Sequence, residues 1–132
     1  MRLNWFRKNT APLTGAPAVR RLKTYSAASG FVYQYWYEGQ RPSGAAATEY
    51  IFSISADRKS YHQLAVQVDA AAVRAWEAAH ARTLSGTEQY ALAKMALFTA
   101  FDERDTPAAL RGAAVRVREA DIAGILERLG LE

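Results

Sequence analysis

TEQYALAKMALFTAFDE, residues 87–103, is apolar on nearly every side: between Tyr90 and Phe101 only Lys94 and Thr99 interrupt the run of apolar and aromatic side chains. A helix at a protein surface keeps a polar stripe, whereas one that is apolar all round is buried. The rest of the chain is therefore expected to cover this segment. Its start is marked by Ser85-Gly86-Thr87-Glu88, the S-x-x-E capping box. There the Ser85 hydroxyl accepts from the amide of residue 88, and the Glu88 carboxylate accepts from the amide of residue 85. Its end is marked by Asp102-Glu103-Arg104-Asp105 and then Thr106-Pro107, because proline turns the residue before it away from helical geometry. Asp102 and Glu103 sit at the negative end of the helix dipole, a small misfit that Arg104 offsets only in part. The plain reading of that misfit is a solvated helix end.

Upstream, residues 69–82 read as a companion helix. Asp69 stands at the N-cap, Val68 and Val73 occupy hydrophobic-staple positions, and Val73, Trp76 and His80 share one stripe. The short link through Leu84 and Gly86 predicts that the two helices pack as a hairpin. Before them lie strands. Residues 61–68 turn Leu64, Val66 and Val68 inward. Residues 50–56 set Tyr50, Phe52 and Ile54 on one side and Ile51, Ser53 and Ser55 on a wetter one. Asp57-Arg58-Lys59-Ser60 joins these two as a connection of hairpin length.

The strongest strand signal is FVYQYWYE, residues 31–38, rich in aromatic and β-branched residues. Alternation places Phe31, Tyr33, Tyr35 and Tyr37 on one face and Val32, Gln34, Trp36 and Glu38 on the other. The tyrosine face is the better candidate for burial, although Val32 and Trp36 would also serve, and a one-residue register shift reverses the choice. Residues 39–47, holding Gly39, Pro42, Ser43 and Gly44, read as a loop with Arg41 at its tip. Residues 20–26 form a first strand, with Leu22 and Thr24 on one face and Arg21, Lys23 and Tyr25 on the other. Residues 1–19 read as a flexible arm, in which Arg2, Arg7 and Lys8 flank Trp5 and Phe6.

Downstream of the central helix, Gly112 interrupts a short helical turn, and Val115-Arg116-Val117-Arg118 alternates in a way compatible with a brief extra strand. A last helix over 120–129 groups Ile122, Ile125, Leu126 and Leu129. Gly130 then falls at the left-handed C-terminal position, with Leu131 placed for the accompanying apolar contact. Strands followed by helices point to an α+β domain over 20–132. It has an antiparallel sheet of about four strands (roughly 20–68), a helical hairpin (69–82, 85–103) on one face and a C-terminal helix (120–129).

Composition narrows function more by exclusion than by indication. The absence of cysteine removes disulfides, thiolate nucleophiles and cysteine zinc sites. No Walker loop, dinucleotide fingerprint or G-x-S-x-G elbow occurs. The two histidines, His62 and His80, are too few for a histidine-rich metal centre. Glu77 and His80 have the E-x-x-H spacing of di-iron bundles, but such sites need two copies. No metal and no cofactor are expected. No apolar run approaches the roughly 20 residues that span a bilayer, so no membrane partner is expected, and a cytoplasmic location is the default. The net charge of +4 permits an anionic partner without demanding one.

The surface left for function is the sheet face opposite the helices: Gln34, Trp36, Gln63 and Gln67, with Arg21 and Lys23 at its edge. This aromatic, amide-rich and mildly basic face suggests a non-enzymatic binding or self-assembly module, with a homo-oligomer as one partner. The plainer reading is that the extra helix, the arm or a second copy of the chain covers it. Aromatics interleaved with Arg and Lys also suit a single-stranded nucleic-acid binder, but no RNP-type motif, GXXG loop or basic recognition helix supports that alternative. A small-ligand enzyme or sensor would use Lys94, the odd polar residue of the central helix, together with His80. Lys94 would then be a base of shifted pKa; the plainer reading is that it reaches solvent or pairs with an acid such as Glu77.

Overall fold

The computed structural model describes residues 11–44 and 46–130. Four strands run as an antiparallel meander: β1 (Lys23–Ser26), β2 (Val32–Ser43), β3 (Ala47–Ser55) and β4 (His62–Asp69). Two helices follow, α1 (Ala70–His80) and α2 (Gly86–Glu103), then a 3-10 turn (Pro107–Leu110), β5 (Val115–Val117) and α3 (Glu119–Leu129). The sheet order is β1-β2-β3-β4-β5, and β5 lies parallel to β4. Parallel neighbours need a long crossover, which α1, α2 and the 3-10 turn supply. The α+β class and the mostly antiparallel sheet thus agree with the sequence pattern, and the strand count becomes five. Val115 and Val117 turn inward and are buried, while Arg116 points the other way and meets Asp69 at 2.7 Å.

Two expectations about connections are corrected. The two helices do not form a packed hairpin: α1 lies against α3 rather than against α2. Its short apolar stripe, Ala72, Val73 and Trp76, is matched by Ile122, Ile125 and Leu126 of α3, which the parallel strand delivers to the same side of the sheet. Residues 39–47 are not a loop. After a bulge between Tyr37 and Gly39, β2 continues to Ser43, paired with β3 from Gly39↔Ile51 to Ser43↔Ala47. Gly39 is there for close approach, not for a turn: its φ is +132°, and a Cβ would stand 2.9 Å from the Thr14 carbonyl oxygen. Thr14 and Gln40 exchange both backbone hydrogen bonds at 2.8 Å. The tip of the N-terminal arm, residues 1–10, and Leu131 lie outside the described residues.

α2 is the interior element. No residue from 88 to 102 is exposed, and Leu92, Ala93, Leu97 and Phe101 are fully buried. The capping box forms as read: Glu88 N donates to Ser85 Oγ at 3.1 Å and Ser85 N to Glu88 Oε1 at 3.0 Å. Along β2 the tyrosine face turns inward and meets one side of α2 ring by ring. Tyr33 stacks on Phe101 at 4.2 Å, Tyr35 meets Phe98 edge-on at 5.6 Å, and Tyr37 lies 4.8 Å from Tyr90. Such pairs add about 0.5–1.5 kcal/mol each beyond area burial.

Two polar expectations also change. Asp69 occupies the N-cap position of α1, but its carboxylate makes no cap bond and turns to Arg116 instead. Asp102 is not a solvated helix end. It accepts from the Tyr25 hydroxyl at 2.9 Å and from the Ala28 amide at 2.8 Å, and Ser29 Oγ donates to the Phe101 carbonyl at 2.8 Å. The misfit at the end of α2 is the clamp that holds the β1–β2 turn onto the helix.

Candidate functional site

The outer sheet face is where Gln34, Trp36, Gln63 and Gln67 lie, as the strand alternation predicted. Its polar groups are largely engaged with one another. Tyr61 OH donates to Gln34 Oε1 at 3.0 Å, and the Tyr61 ring lies 4.8 Å from Trp36. The Arg20 guanidinium sits over the other side of the indole, 4.5 Å from its centroid, and pairs with Glu38 at 3.6 Å. Ser53 Oγ donates to Glu38 at 2.6 Å. Further along, Glu49 holds Arg41 Nε at 3.1 Å and Gln67 Nε2 at 3.2 Å. Ile51, Ser53 and Ser55 are buried here, so the wetter side expected of β3 is covered. Gln63 stays exposed, and Trp36 Nε1 has no acceptor.

Lys23 does not join that face, and Arg21 precedes the first residue of β1. Register pairs Lys23 with Tyr35 and Tyr25 with Tyr33, so Lys23 and Tyr25 share the tyrosine side, and Thr24 pairs with Gln34 on the outer side. The alternation within residues 20–26 was legible, but its assignment to the outer face was reversed. Tyr25 is packed between Phe98, stacked at 4.2 Å, and Phe101.

A pocket of about 650 Å³ lies between α2 and α3, and Glu103, Arg104, Asp121, Glu127 and Arg128 contribute to its walls. A smaller one, about 460 Å³, opens at the edge of β2. β1 pairs with β2 only up to Tyr35, and Thr14 pairs with it at Gln40. Residues 36–39 have no strand partner on that edge among the described residues. The chain bows around the gap and contributes Gly15, Pro17, Arg21 and Lys23. β2 contributes Tyr35, Trp36, Tyr37 and Gln40. The first turns of α2 contribute Gly86, Thr87 and Tyr90.

The electrostatics of this pocket are one-sided, because no acidic side chain of the described residues lines it. Tyr35 is only 4 % exposed and lines the cavity, and its hydroxyl makes no hydrogen bond among the described residues. Burial, then the neighbouring Tyr90, pushes the Tyr35 phenol up to about 12. Burial, then Tyr50 and Tyr90, raises Tyr37, and burial alone raises Tyr90. At neutral pH all three are O–H donors. Lys94 is half-buried on α2, its Nζ 6.0 Å from the Tyr35 ring centroid and 5.8 Å from that of Phe98. Burial, then the charge of Lys23, lowers its pKa. Among the described residues no acid pairs with Lys94; Glu77 instead accepts from the Leu84 amide at 2.7 Å.

His80 lies elsewhere. It is exposed, stacks on Trp76 at 4.3 Å and has Nδ1 2.9 Å from the Trp76 carbonyl, so it shares no neighbour with Lys94. Among the described residues no group of three or more His, Cys, Asp or Glu could hold a metal ion, and no helix is long and apolar enough to cross a membrane. Sequence reasoning missed Tyr35, Tyr37, Gln40 and Tyr90 as pocket residues. A signal existed for part of this: Tyr90, Lys94 and Phe98 recur at four-residue spacing, which puts them on one side of a helix. No family model, curated protein or solved structure matches the chain.

Proposed function

We propose that this chain is a non-enzymatic binding domain for a small molecule, and that its site is the pocket at the gap in the β2 edge. The observation that carries this reading is the lining: Tyr35, Tyr37 and Tyr90 stand with Arg21 and Lys23 around one cavity of about 460 Å³. The volume falls in the range of about 300–1,000 Å³ usual for small-molecule sites, and an aromatic lining with a few convergent polar groups is their usual make-up. Of the residues singled out on the sequence, Arg21, Lys23 and Trp36 belong to this site. Gln34 and Gln67 spend their hydrogen bonds within the outer face. The reading keeps Lys94 of the sensor alternative and drops His80. Base stacking by Trp36 would require displacing Arg20 and Tyr61, which disfavours the nucleic-acid alternative.

A ligand-observed NMR screen of small aromatic fragments tests the reading. Hits should compete for one site and weaken at least about ten-fold in Thr87→Trp, which fills the pocket from an exposed position on α2. They should persist in Gln63→Ala on the outer face. A screen without hits, or hits indifferent to Thr87→Trp, would refute it.

A further inference from the structure

Arg20, Arg41, Arg82 and Arg116 pair with Glu38, Glu49, Glu88 and Asp69. Of the cations that make no ion pair among the described residues, Arg21, Lys23 and Lys94 stand together at or beside the edge pocket. Lys23 comes to Tyr35 across the β1–β2 register, and Lys94 comes to the same ring from α2. Arg21 and Lys23 thus line the cavity and Lys94 stands beside it, while the other polar side chains of the described lining are neutral: phenols, an indole, an amide and a hydroxyl. Partial burial, then the charge of Lys23, disfavours the charged form of Lys94. A cationic ligand would meet only repulsion here, and a neutral one would leave the repulsion in place.

We propose that the ligand is a planar organic oxyanion, a flat ring system carrying a carboxylate or a phosphate. Its charge lies between Lys23 and Lys94, within reach of the Tyr35 hydroxyl, and its rings lie against Tyr37 and Tyr90. This rests on the pocket reading above and adds the chemistry of the ligand to it. An anion there relieves the lysine–lysine repulsion and takes a hydrogen bond from Tyr35, which makes none among the described residues. Charge-assisted bonds of this kind are roughly twice as strong as neutral ones. From Thr87 at one end to Lys94 at the other, α2 advances seven residues, about 10 Å at 1.5 Å each. Two fused rings with an anionic group fit within that span.

Titration calorimetry on the full chain with 2-naphthoate, 2-naphthyl phosphate and the neutral 2-naphthamide tests the assignment. At least one anion should bind ten-fold or more tighter than the amide, and the tighter of the two identifies which oxyanion the site is built for. Lys94→Met should lose at least ten-fold for that anion and nothing for the amide, with a melting temperature no lower than that of the parent. Lys23→Gln, at an exposed position that does not endanger folding, should show the same selective loss. If the amide binds as well as both anions, or both variants keep full anion affinity, the oxyanion assignment is wrong and the pocket reading stands. If none of the three compounds binds, both are wrong.

Discussion

The two faces of β2 carry the same kinds of side chain and treat them in opposite ways. Outward, Gln34, Trp36, Glu38 and Arg41 are held by Tyr61, Arg20, Ser53 and Glu49, so the polar heads spend their bonding capacity on one another. Inward, Tyr35 and Tyr37 lie in an aromatic layer against α2, and beside the gap they keep hydroxyls that are open or weakly engaged: Tyr35 makes no hydrogen bond among the described residues, and Tyr37 reaches Gln40 only at 3.5 Å. Polar groups that satisfy one another rigidify a surface. Polar groups left open beside a void, with cations at hand, are the features from which the pocket is proposed as a binding site. The conspicuous face of the sheet is therefore its brace, and the functional candidate is the less conspicuous seam between sheet and helix.

Two substitutions press on that contrast from either side. The larger effect belongs to the inner layer. Phe101 is fully buried and meets Tyr33, Tyr25 and Tyr35. Phe101→Ala should cost about 3–5 kcal/mol in urea unfolding. A loss below about 1 kcal/mol, well short of that range, would mean that the ring-by-ring contact between β2 and α2 does not hold the layers together. The smaller effect belongs to the outer face. Glu49 bonds Arg41 and Gln67 at once, and Glu49→Gln removes the charge from both contacts. It should cost about 1.5–3 kcal/mol, the scale of a hydrogen bond to a charged group, while ligand affinity stays unchanged. A variant of parental stability would make the outer network ornamental, and a variant that lost ligand affinity would return the outer face to candidacy.

How much of this could be read from the chain depends on the range of the forces involved. The central helix was legible because its signals are local: an unbroken apolar run, and a capping box three residues wide. The tyrosine face of β2 was legible from alternation alone. The course of residues 39–43 was not, because Gly39 and Pro42 carry turn chemistry, and only the distant Thr14 shows that Gly39 serves a close approach in a continuing strand. β5 is three residues long and pairs across a crossover of two helices, so the alternation of Val115 to Arg118 hints at a strand, but nothing near it in sequence names its partner. The placing of Lys23 failed for a related reason. Its alternation with Thr24 is local, but the side of the sheet it takes is fixed by pairing to Tyr35, and a one-residue change of register inverts it. Lys94 stood out as the polar exception in an apolar helix; its neighbour Lys23 could not be seen without the fold.

The central claim is that recognition happens at the seam and not on the open sheet. Mapping amide chemical shifts across the folded chain as 2-naphthoate is added tests it most directly. Changes confined to residues 21–23, 35–40 and 86–94, with Gln63 and Gln67 unmoved, are the result predicted. Changes centred on Gln63 and Gln67, with Tyr35 and Tyr90 unmoved, would contradict it.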